Sequence, residues 1–262
     1  MQKTELKKNN MYYKEFLPSK HLAEIVQDYW VFEVLENKNL NFPIKHETLP
    51  ESNVSIVLIQ QPYFNGIRIL GPRNKKYHQP VFPNSIYFGI RLNPWLSLNP
   101  KLFSKREIIN ETIEASDLIT KHINLDNNIK KYLLSLPLLE KKLTHLFNKV
   151  EIEQDDLVKF ICVELSHGTP IHLILNKIPF SVRVVQKRFK SIVGLSMRQF
   201  ASNLKQRKLW EDLLENNKNK IDVIYKHNYY DQSHFINEFK RKMKRSVSDY
   251  ETYLKKIEIS LA

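Results

Sequence analysis

The chain has 262 residues, of which 42% are hydrophobic, so it can form two modest cores, and we expect two globular domains rather than one extended chain. Its formal net charge of +13 favours polyanionic partners, although a lysine-rich protein can also be basic for solubility alone. Cys162 is the only cysteine, which excludes an intramolecular disulfide and a cysteine zinc site.

The first half of the chain has the pattern of a small sheet or partial barrel. Runs of β-branched and aromatic residues at 29–34, 54–60, 67–70 and 85–92 are separated by prolines and glycines, and they predict strands. Six aromatic residues of this half could line an apolar effector pocket, but we favour the interpretation that most of them fill the core. They are Tyr29, Trp30, Phe32, Tyr87, Phe88 and Trp95.

Four polar residues of the same half, His46, Glu47, Glu51 and His78, are the candidates for a metal site in a cupin-like barrel. Such a site needs two or three ligands converging from paired strands, and the chain has no His-x-His pair to place two ligands on one strand face. The sequence also lacks a glycine-rich phosphate loop and a Gly-x-Ser-x-Gly nucleophile motif. We therefore expect no metal, no cofactor and no enzymatic activity.

Helical spacing follows the strands, at residues 110–123, 126–136 and 137–150. The third predicted helix carries an apolar stripe whose members are four, three and four residues apart. We favour packing of this stripe on its own domain, and the alternative is a pair of helices that forms a homodimer. The stripe consists of Leu139, Leu143, Leu146 and Val150.

A second domain is predicted from residue 151 onward, and it contains a degenerate internal repeat. Residues 181–200 read SVRVVQKRFKSIVGLSMRQF, and residues 231–250 read DQSHFINEFKRKMKRSVSDY, so that Phe189 falls on Phe239 and Ser196 on Ser246. Each copy has a short apolar-spaced helix, a turn and a second helix rich in hydrogen-bond donors. This is the layout of a helix-turn-helix, present twice and joined by one long helix predicted over 196–216.

The second helix of the first copy has an exposed face suited to DNA. Val185 and Phe189 are four residues apart and face the core, which leaves donors on the opposite side. Arginine can bond to the guanine edge and glutamine to the adenine edge, and residues 165–210 contain no Asp or Glu to repel phosphates. The residues predicted to contact DNA are Ser181, which also suits the N-cap, with Arg183, Gln186, Lys187 and Lys190.

The second copy follows the same plan, with Asp231 as the predicted N-cap and Phe235 and Phe239 facing inward. Its outward face is more polar than charged. The residues predicted to contact DNA there are Gln232, Ser233, His234, Asn237 and Arg241.

With these motifs the C-terminal region resembles the DNA-binding region of AraC/XylS-type transcription regulators. The motifs are S-x-R-x-x-Q-x-R-F-K at 181–190, G-x-S at 194–196 and D-Q-S-H-F-x-x-x-F-K-R at 231–241. The resemblance implies two helix-turn-helix motifs on a linker helix, entering successive major-groove segments about 34 Å apart. The chain departs from the family pattern at Lys244, where a glycine is usual.

The N-terminal half resembles, more weakly, the regulatory region of a subset of these proteins, through Asp28-Tyr29-Trp30, Leu49-Pro50 and Gly89-Ile90-Arg91-Leu92. This implies a small β-barrel or half-barrel that binds an effector, dimerises or does both. We therefore predict an α+β protein, with a β-rich, cupin-like half-barrel domain with helices at residues 1–150 and an all-α double helix-turn-helix domain at residues 151–262.

We interpret the chain as a sequence-specific transcription regulator controlled through its N-terminal domain. Its expected partners are double-stranded DNA, RNA polymerase and a small-molecule effector of unknown identity. The N-terminus lacks the apolar core of a signal peptide, so we expect a cytoplasmic protein without a membrane partner. One alternative is a small-molecule-binding or metal-dependent cupin-like protein whose repeat is a non-specific DNA tether; another is a protein-interaction scaffold built on the apolar stripe.

Overall fold

The computed structural model describes residues 11–36, 43–98, 107–123, 129–150, 152–214, 225–227 and 230–260. The first half consists mainly of strands and the second half mainly of helices. The strands are β1 (Met11–Phe16), β2 (Val26–Val34), β3 (Ile44–Thr48), β4 (Ser55–Gln61), β5 (Phe64–Leu70), β6 (Tyr77–Val81), β7 (Ser85–Leu92), β8 (Leu96–Leu98), β9 (Thr112–Glu114), β10 (Ile152–Gln154) and β11 (Ile257–Ser260). The helices are α1 (Asp117–His122), α2 (Lys130–Leu134), α3 (Leu136–Lys149), α4 (Asp156–Ser166), α5 (Ile171–Asn176), α6 (Val182–Val193), α7 (Met197–Leu214), α8 (Gln232–Met243) and α9 (Val247–Leu254).

A seven-stranded sheet with the order β11-β1-β2-β7-β4-β5-β9 forms the centre of the first half. Its neighbouring strands are antiparallel, except that β11 runs parallel to β1. Two further ladders pair β3 with β6 and β8 with β10. The predicted α+β class, with a β-rich N-terminal domain and a helical C-terminal region, is confirmed. The C-terminal region is not all-α, however, because β10 and β11 belong to it.

The pattern of β-branched residues located β2, β4, β5 and β7, but the helix predicted over 110–123 is wrong in its first half. Thr112–Glu114 form β9, which pairs with residues 68–70 of β5, and only α1 is helical. Asn110, with a φ of 63°, turns the chain into this strand. The helix predicted over 126–136 is the shorter α2, and residues 126–128 lie outside the described residues.

One face of the sheet packs against α1, α2 and α3 and forms the first core. Tyr29 and Phe88 face this core, as do the four residues of the apolar stripe on α3. The stripe side chains are buried, with Leu139 and Leu143 fully inaccessible. Packing of the stripe on its own domain, which the sequence favoured, is what the structure shows, and the alternative of a dimer-forming surface is corrected: Leu139, Leu143, Leu146 and Val150 fill this core.

The opposite face of the sheet forms a second core with the C-terminal helices. Because side chains alternate along a strand, Phe32 and Tyr87 point to this face while their neighbours Tyr29 and Phe88 point to the first core. The C-terminal partners in this second core are Leu209, Trp210, Phe235, Phe239, Met243, Tyr250, Tyr253 and Ile257. The second core thus crosses the domain boundary predicted at residue 151.

A third core lies within α4, α5, α6 and the start of α7. Cys162 is buried there, as a small apolar residue. Within the described ranges, no helix combines the length and the apolar character that a membrane crossing requires.

Candidate nucleic-acid interface

The first helix-turn-helix motif is held by its caps and by the third core. The Ser181 hydroxyl accepts a hydrogen bond from the Val184 amide at 3.4 Å, and α6 ends at Gly194, whose φ of 87° is the left-handed conformation that glycine tolerates. Val185 and Phe189 are fully buried, and the Phe189 ring packs edge-on against Phe200 at 5.6 Å between centroids. These contacts fix the rotation of α6 about its own axis, and therefore determine which side chains face outward.

The outward face of α6 carries every residue that the sequence assigned to DNA contact in the first copy. All five side chains are exposed, which is the condition for reaching a base edge or a phosphate. They are Ser181, Arg183, Gln186, Lys187 and Lys190.

Several basic residues of the carboxylate-free stretch at 165–210 have structural partners from outside it. Asp155 Oδ2 lies 2.7 Å from Arg188 Nε, and Glu164 Oε2 lies 3.1 Å from Lys177 Nζ. Arg207 pairs with Glu15 and Glu211. The patch available for phosphates is therefore smaller than the sequence suggests, because these cations hold the motif to its neighbours.

The second motif presents its predicted residues in the same way. The Asp231 carboxylate accepts a hydrogen bond from the His234 amide at 2.6 Å, and Phe235, Phe239 and Met243 are buried. The segment before α8 is described only at residues 225–227 and 230, so the first helix of this copy lies largely outside the described residues. The exposed residues are Gln232, Ser233, His234, Asn237 and Arg241.

Helices α6 and α8 are joined by α7, which also contacts the sheet domain. Asn203 is buried, and its side-chain amide donates to Ser52 Oγ at 3.0 Å and to the Arg73 carbonyl at 2.8 Å. Arg207 donates to both carboxylate oxygens of Glu15 at 2.7 and 2.9 Å. The linker helix is therefore hydrogen-bonded to the N-terminal domain along its inner side.

Arg207 belongs to a buried ionic cluster centred on Arg91 of β7. Arg91 donates to Glu51 at 2.8 Å and to Glu15 at 3.3 Å, and it also pairs with Asp28. Burial alone would lower the pKa of Arg91, but the carboxylates outweigh it and raise that pKa. Burial would likewise raise the pKa of Glu15, but Arg207 and Arg91 hold it below the usual value. Both groups are therefore charged in the folded chain.

The six aromatic residues considered as the lining of an effector pocket do not converge on one site. Tyr29 and Phe88 fill the first core, and Trp95 lies near Lys159 of α4. Trp30 and Tyr87 line a cavity of about 80 Å³ on the opposite face of the sheet, and Phe32 lines both this cavity and a larger one. Tyr29, Phe32, Tyr87 and Phe88 are buried in the two cores, which is the interpretation that the sequence favoured. The alternative of one pocket lined by all six is corrected, because alternation along β2 and β7 places Trp30, Phe32 and Tyr87 on the face opposite to Tyr29 and Phe88.

The larger cavity, of about 180 Å³, lies between the sheet domain and the C-terminal helices. Its walls combine Phe32, His46 and Leu49 from the first half with Trp210 and Tyr250 from the second. The sequence offered no signal for this site, because its two walls are far apart along the chain.

Of the candidates for metal binding, His46 is stacked on Phe32 at 4.2 Å between ring centroids and hydrogen-bonds to the Tyr253 hydroxyl. Burial lowers the pKa of His46 to about 4, against a weaker opposing effect of Glu47. Glu47 is surrounded by Lys76, His78 and Arg245 at 3.0–3.5 Å, and Glu51 pairs with Arg91. The described part of the chain contains no cluster of three side chains placed to hold a metal ion.

Two segments of the chain match known protein families. Residues 175–252 match the family described as a helix-turn-helix domain, HTH_18, and residues 14–99 match a domain of unknown function, DUF6597. No curated protein matches. Among solved structures, ToxT from Vibrio cholerae is 13% identical, with a TM-score of 0.43 over 92% of this chain and 96% of that one. A structure of ToxT from the same organism bound to an unsaturated fatty acid is 14% identical, with a TM-score of 0.41 over 92% and 93%.

Proposed function

We propose that this chain, whose residues 175–252 form an AraC-type helix-turn-helix domain, is a sequence-specific transcription regulator that reads two successive major-groove segments. The observation that carries the proposal is that the two copies of the repeat have the same pattern of buried and exposed residues. In the second helix of each motif, called the reading helix below, the two apolar residues at equivalent positions are buried, Val185 and Phe189 in α6 and Phe235 and Phe239 in α8. The predicted donors of both helices are exposed, although the two sequences are only weakly alike. Such a regulator would act in the cytoplasm together with RNA polymerase.

Recognition by this surface consists of binding without a chemical step. Arg183 and Gln186 on α6 have the donor and acceptor geometry for bidentate contacts with guanine and adenine. Lys187 and Lys190 are placed for phosphates or bases on the same side of the helix. In α8, Gln232 and Asn237 would supply amide contacts, so the second half-site would be read with fewer charges than the first.

We assign control to the junction between the sheet domain and the second motif. The second motif shares its core with the sheet, whereas the first motif has a core of its own. A small molecule that entered the cavity of about 180 Å³ would contact α7 and α9 directly. If it bound one arrangement of the two motifs better than another, it would shift the population toward that arrangement and change the affinity for a bipartite site.

Selection of bound sequences from a random duplex library by the full chain, at about 0.15 M salt, tests the proposal. Non-specific phosphate binding is weakened at this ionic strength, so enrichment reports base readout. The expected result is a bipartite motif whose halves lie about one helical turn apart.

Arg183→Ala and Asn237→Ala should each relax only one half of that motif. Arg188→Ala serves as the matched control, because this arginine is paired with Asp155 and should leave the motif unchanged. Binding without enrichment, with a steep dependence on salt, would overturn the proposal and leave a non-specific DNA tether.

A further inference from the structure

The first turn of the reading helix α6 carries two exposed valines. Val182 and Val184 retain 51% and 52% of their accessible surface, on either side of Arg183. A valine at a solvent-facing helix position is less favourable than an alanine, since its side chain loses rotamer freedom there. Val185 and Phe189 are the members of the third core on this part of the helix, and neither Val182 nor Val184 belongs to it.

The position of each valine on the helix places it beside the donors. With 3.6 residues per turn, Val184 lies about 60° around the helix from Lys187, and Val182 lies about 40° from Gln186. Around the helix, the position that follows Val184 on the side away from Lys187 is that of Arg188, which pairs with Asp155. The valines therefore border the row of Arg183, Gln186 and Lys187 on its two sides.

Charge decides which kind of partner suits these apolar groups. Helix α6 carries four basic side chains and no carboxylate, so an anionic surface is favoured over an apolar protein surface. DNA offers one exposed apolar group in its major groove, the C5-methyl group of thymine, and apolar side chains contact it directly. The first turn of a recognition helix is also the part that reaches base edges.

We infer that Val182 and Val184 contact thymine methyl groups, so that the half-site read by α6 contains thymines next to the base pairs read by Arg183 and Gln186. This inference rests on the proposed function. In the second copy, fifty residues later, the equivalent positions are the polar Gln232 and His234. The contacts made by these two valines are therefore confined to the first half-site, and they give the protein a defined orientation on its operator.

Deoxyuridine in place of thymidine removes the methyl group and leaves every hydrogen-bonding group of the base pair unchanged. The half-site read by α6 is first identified as the one whose selection relaxes in Arg183→Ala. Each thymine of both half-sites is then replaced in turn, and the affinity of the full chain is measured. At one or two positions of the first half-site we expect about a fourfold loss, the effect of one methyl-sized apolar group returned to water.

The same duplexes measured with Val182→Ala and Val184→Ala separate direct contact from an effect on DNA shape. In each variant, deoxyuridine should no longer lower the affinity at the thymine that the replaced valine contacts. It should still lower the affinity at the thymine that the remaining valine contacts. Val163→Ala is the matched control, because Val163 is an exposed valine on α4, outside the reading helix, and should keep both penalties.

Three outcomes would overturn the inference: a first half-site without thymine, deoxyuridine without effect there, or penalties that persist unchanged in both valine variants. Any of these leaves the proposed function intact, because a bipartite motif has still been selected. Failure to select any motif contradicts the proposed function itself, and the inference with it.

Discussion

Arg183 and Arg188 lie on the same helix and differ in what surrounds them. Asp155, the N-cap residue of α4, approaches Arg188 to 2.7 Å, so this arginine joins α6 to the helix that precedes the motif. Arg183 lies five residues, about one and a half turns, further toward the N-terminus of α6, on the face that carries Gln186 and Lys187. Residue type and exposure therefore do not suffice to assign a base contact; the partners already present within the motif must be counted as well.

Arg183→Ala is expected to weaken binding to the selected operator by about 1–3 kcal/mol and to relax preference at one base pair. Lys190→Ala is expected to weaken binding to cognate and scrambled duplexes alike, because a phosphate contact carries no sequence information. Titration of both duplexes with each variant measures the difference. Equal losses on both duplexes for Arg183→Ala would refute the assignment of a base contact.

Helices α6 and α8 end in the same left-handed conformation but with different residues. Gly194 ends α6 with a φ of 87°, and Lys244, fifty residues later, ends α8 with a φ of 53°. The Lys244 amide still donates to the Lys240 carbonyl, so the capping geometry is kept without the residue that favours it. The second motif therefore carries backbone strain that the first does not.

Lys244→Gly is expected to raise the free energy of unfolding by about 1 kcal/mol, because glycine adopts the left-handed conformation without the clash of a Cβ atom. Lys244→Ala removes the same charge but keeps the clash, so it should give no such gain. Denaturant unfolding of the three proteins provides the comparison. Equal stability of the glycine and alanine variants would show that charge, and not strain, sets the difference.

The elements recovered from the sequence are those with long or repeated patterns. Residues 85–92 are β-branched and aromatic throughout, and the repeat located α6 and α8 together. The strands β9 and β11 were missed because each has only three or four residues, too few for alternation to stand out. Their pairing depends on partners elsewhere in the chain, such as β5 for β9, and no local pattern encodes that.

In the whole molecule the sheet domain and the second motif share one core. No local pattern could have predicted this, since Glu15 and Arg207 are 192 residues apart and either side chain alone would be interpreted as a solvated charge. The exposed faces of α6 and α8 were predictable from helical periodicity. The junction that links them to the sheet was not, because it is formed by side chains that meet only after folding.

Arg207→Ala is expected to lower the free energy of unfolding by about 1–3 kcal/mol, because it leaves the buried Glu15 carboxylate with fewer partners. The effect should be smaller than for a fully buried pair, since the Arg207 side chain is 29% accessible. Arg198→Ala, on the exposed side of the same helix, is the control and should be close to neutral. A similar loss of unfolding free energy in both variants would contradict a stabilising role of the ion pair between Arg207 and Glu15.

His46 makes the same junction sensitive to acid. Burial lowers its pKa from 6.5 to about 4. Between these two pH values His46 is therefore protonated in the unfolded chain and neutral in the folded chain. The contribution of His46 to the free energy of unfolding should therefore be complete above pH 6.5. The free energy of unfolding should fall by up to about 3 kcal/mol as the pH approaches 4.

Unfolding measured from pH 7.5 to 4 in His46→Gln should show a shallower decline than in the unchanged protein. His172→Gln, which removes an exposed histidine of α5, should leave the decline unaltered. Parallel pH profiles for His46→Gln and the unchanged protein would contradict the role of His46.

The parallel pairing of β11 with β1 has a consequence for biosynthesis. Residues 11–14 emerge from the ribosome early, but their partners, residues 257–260, are made about 240 residues later. The edge of the sheet stays open during translation, and the second motif cannot complete the core that it shares with the sheet. The first motif, with a core of its own, can fold while the chain is still growing. A newly made molecule can therefore form its first helix-turn-helix motif before its second.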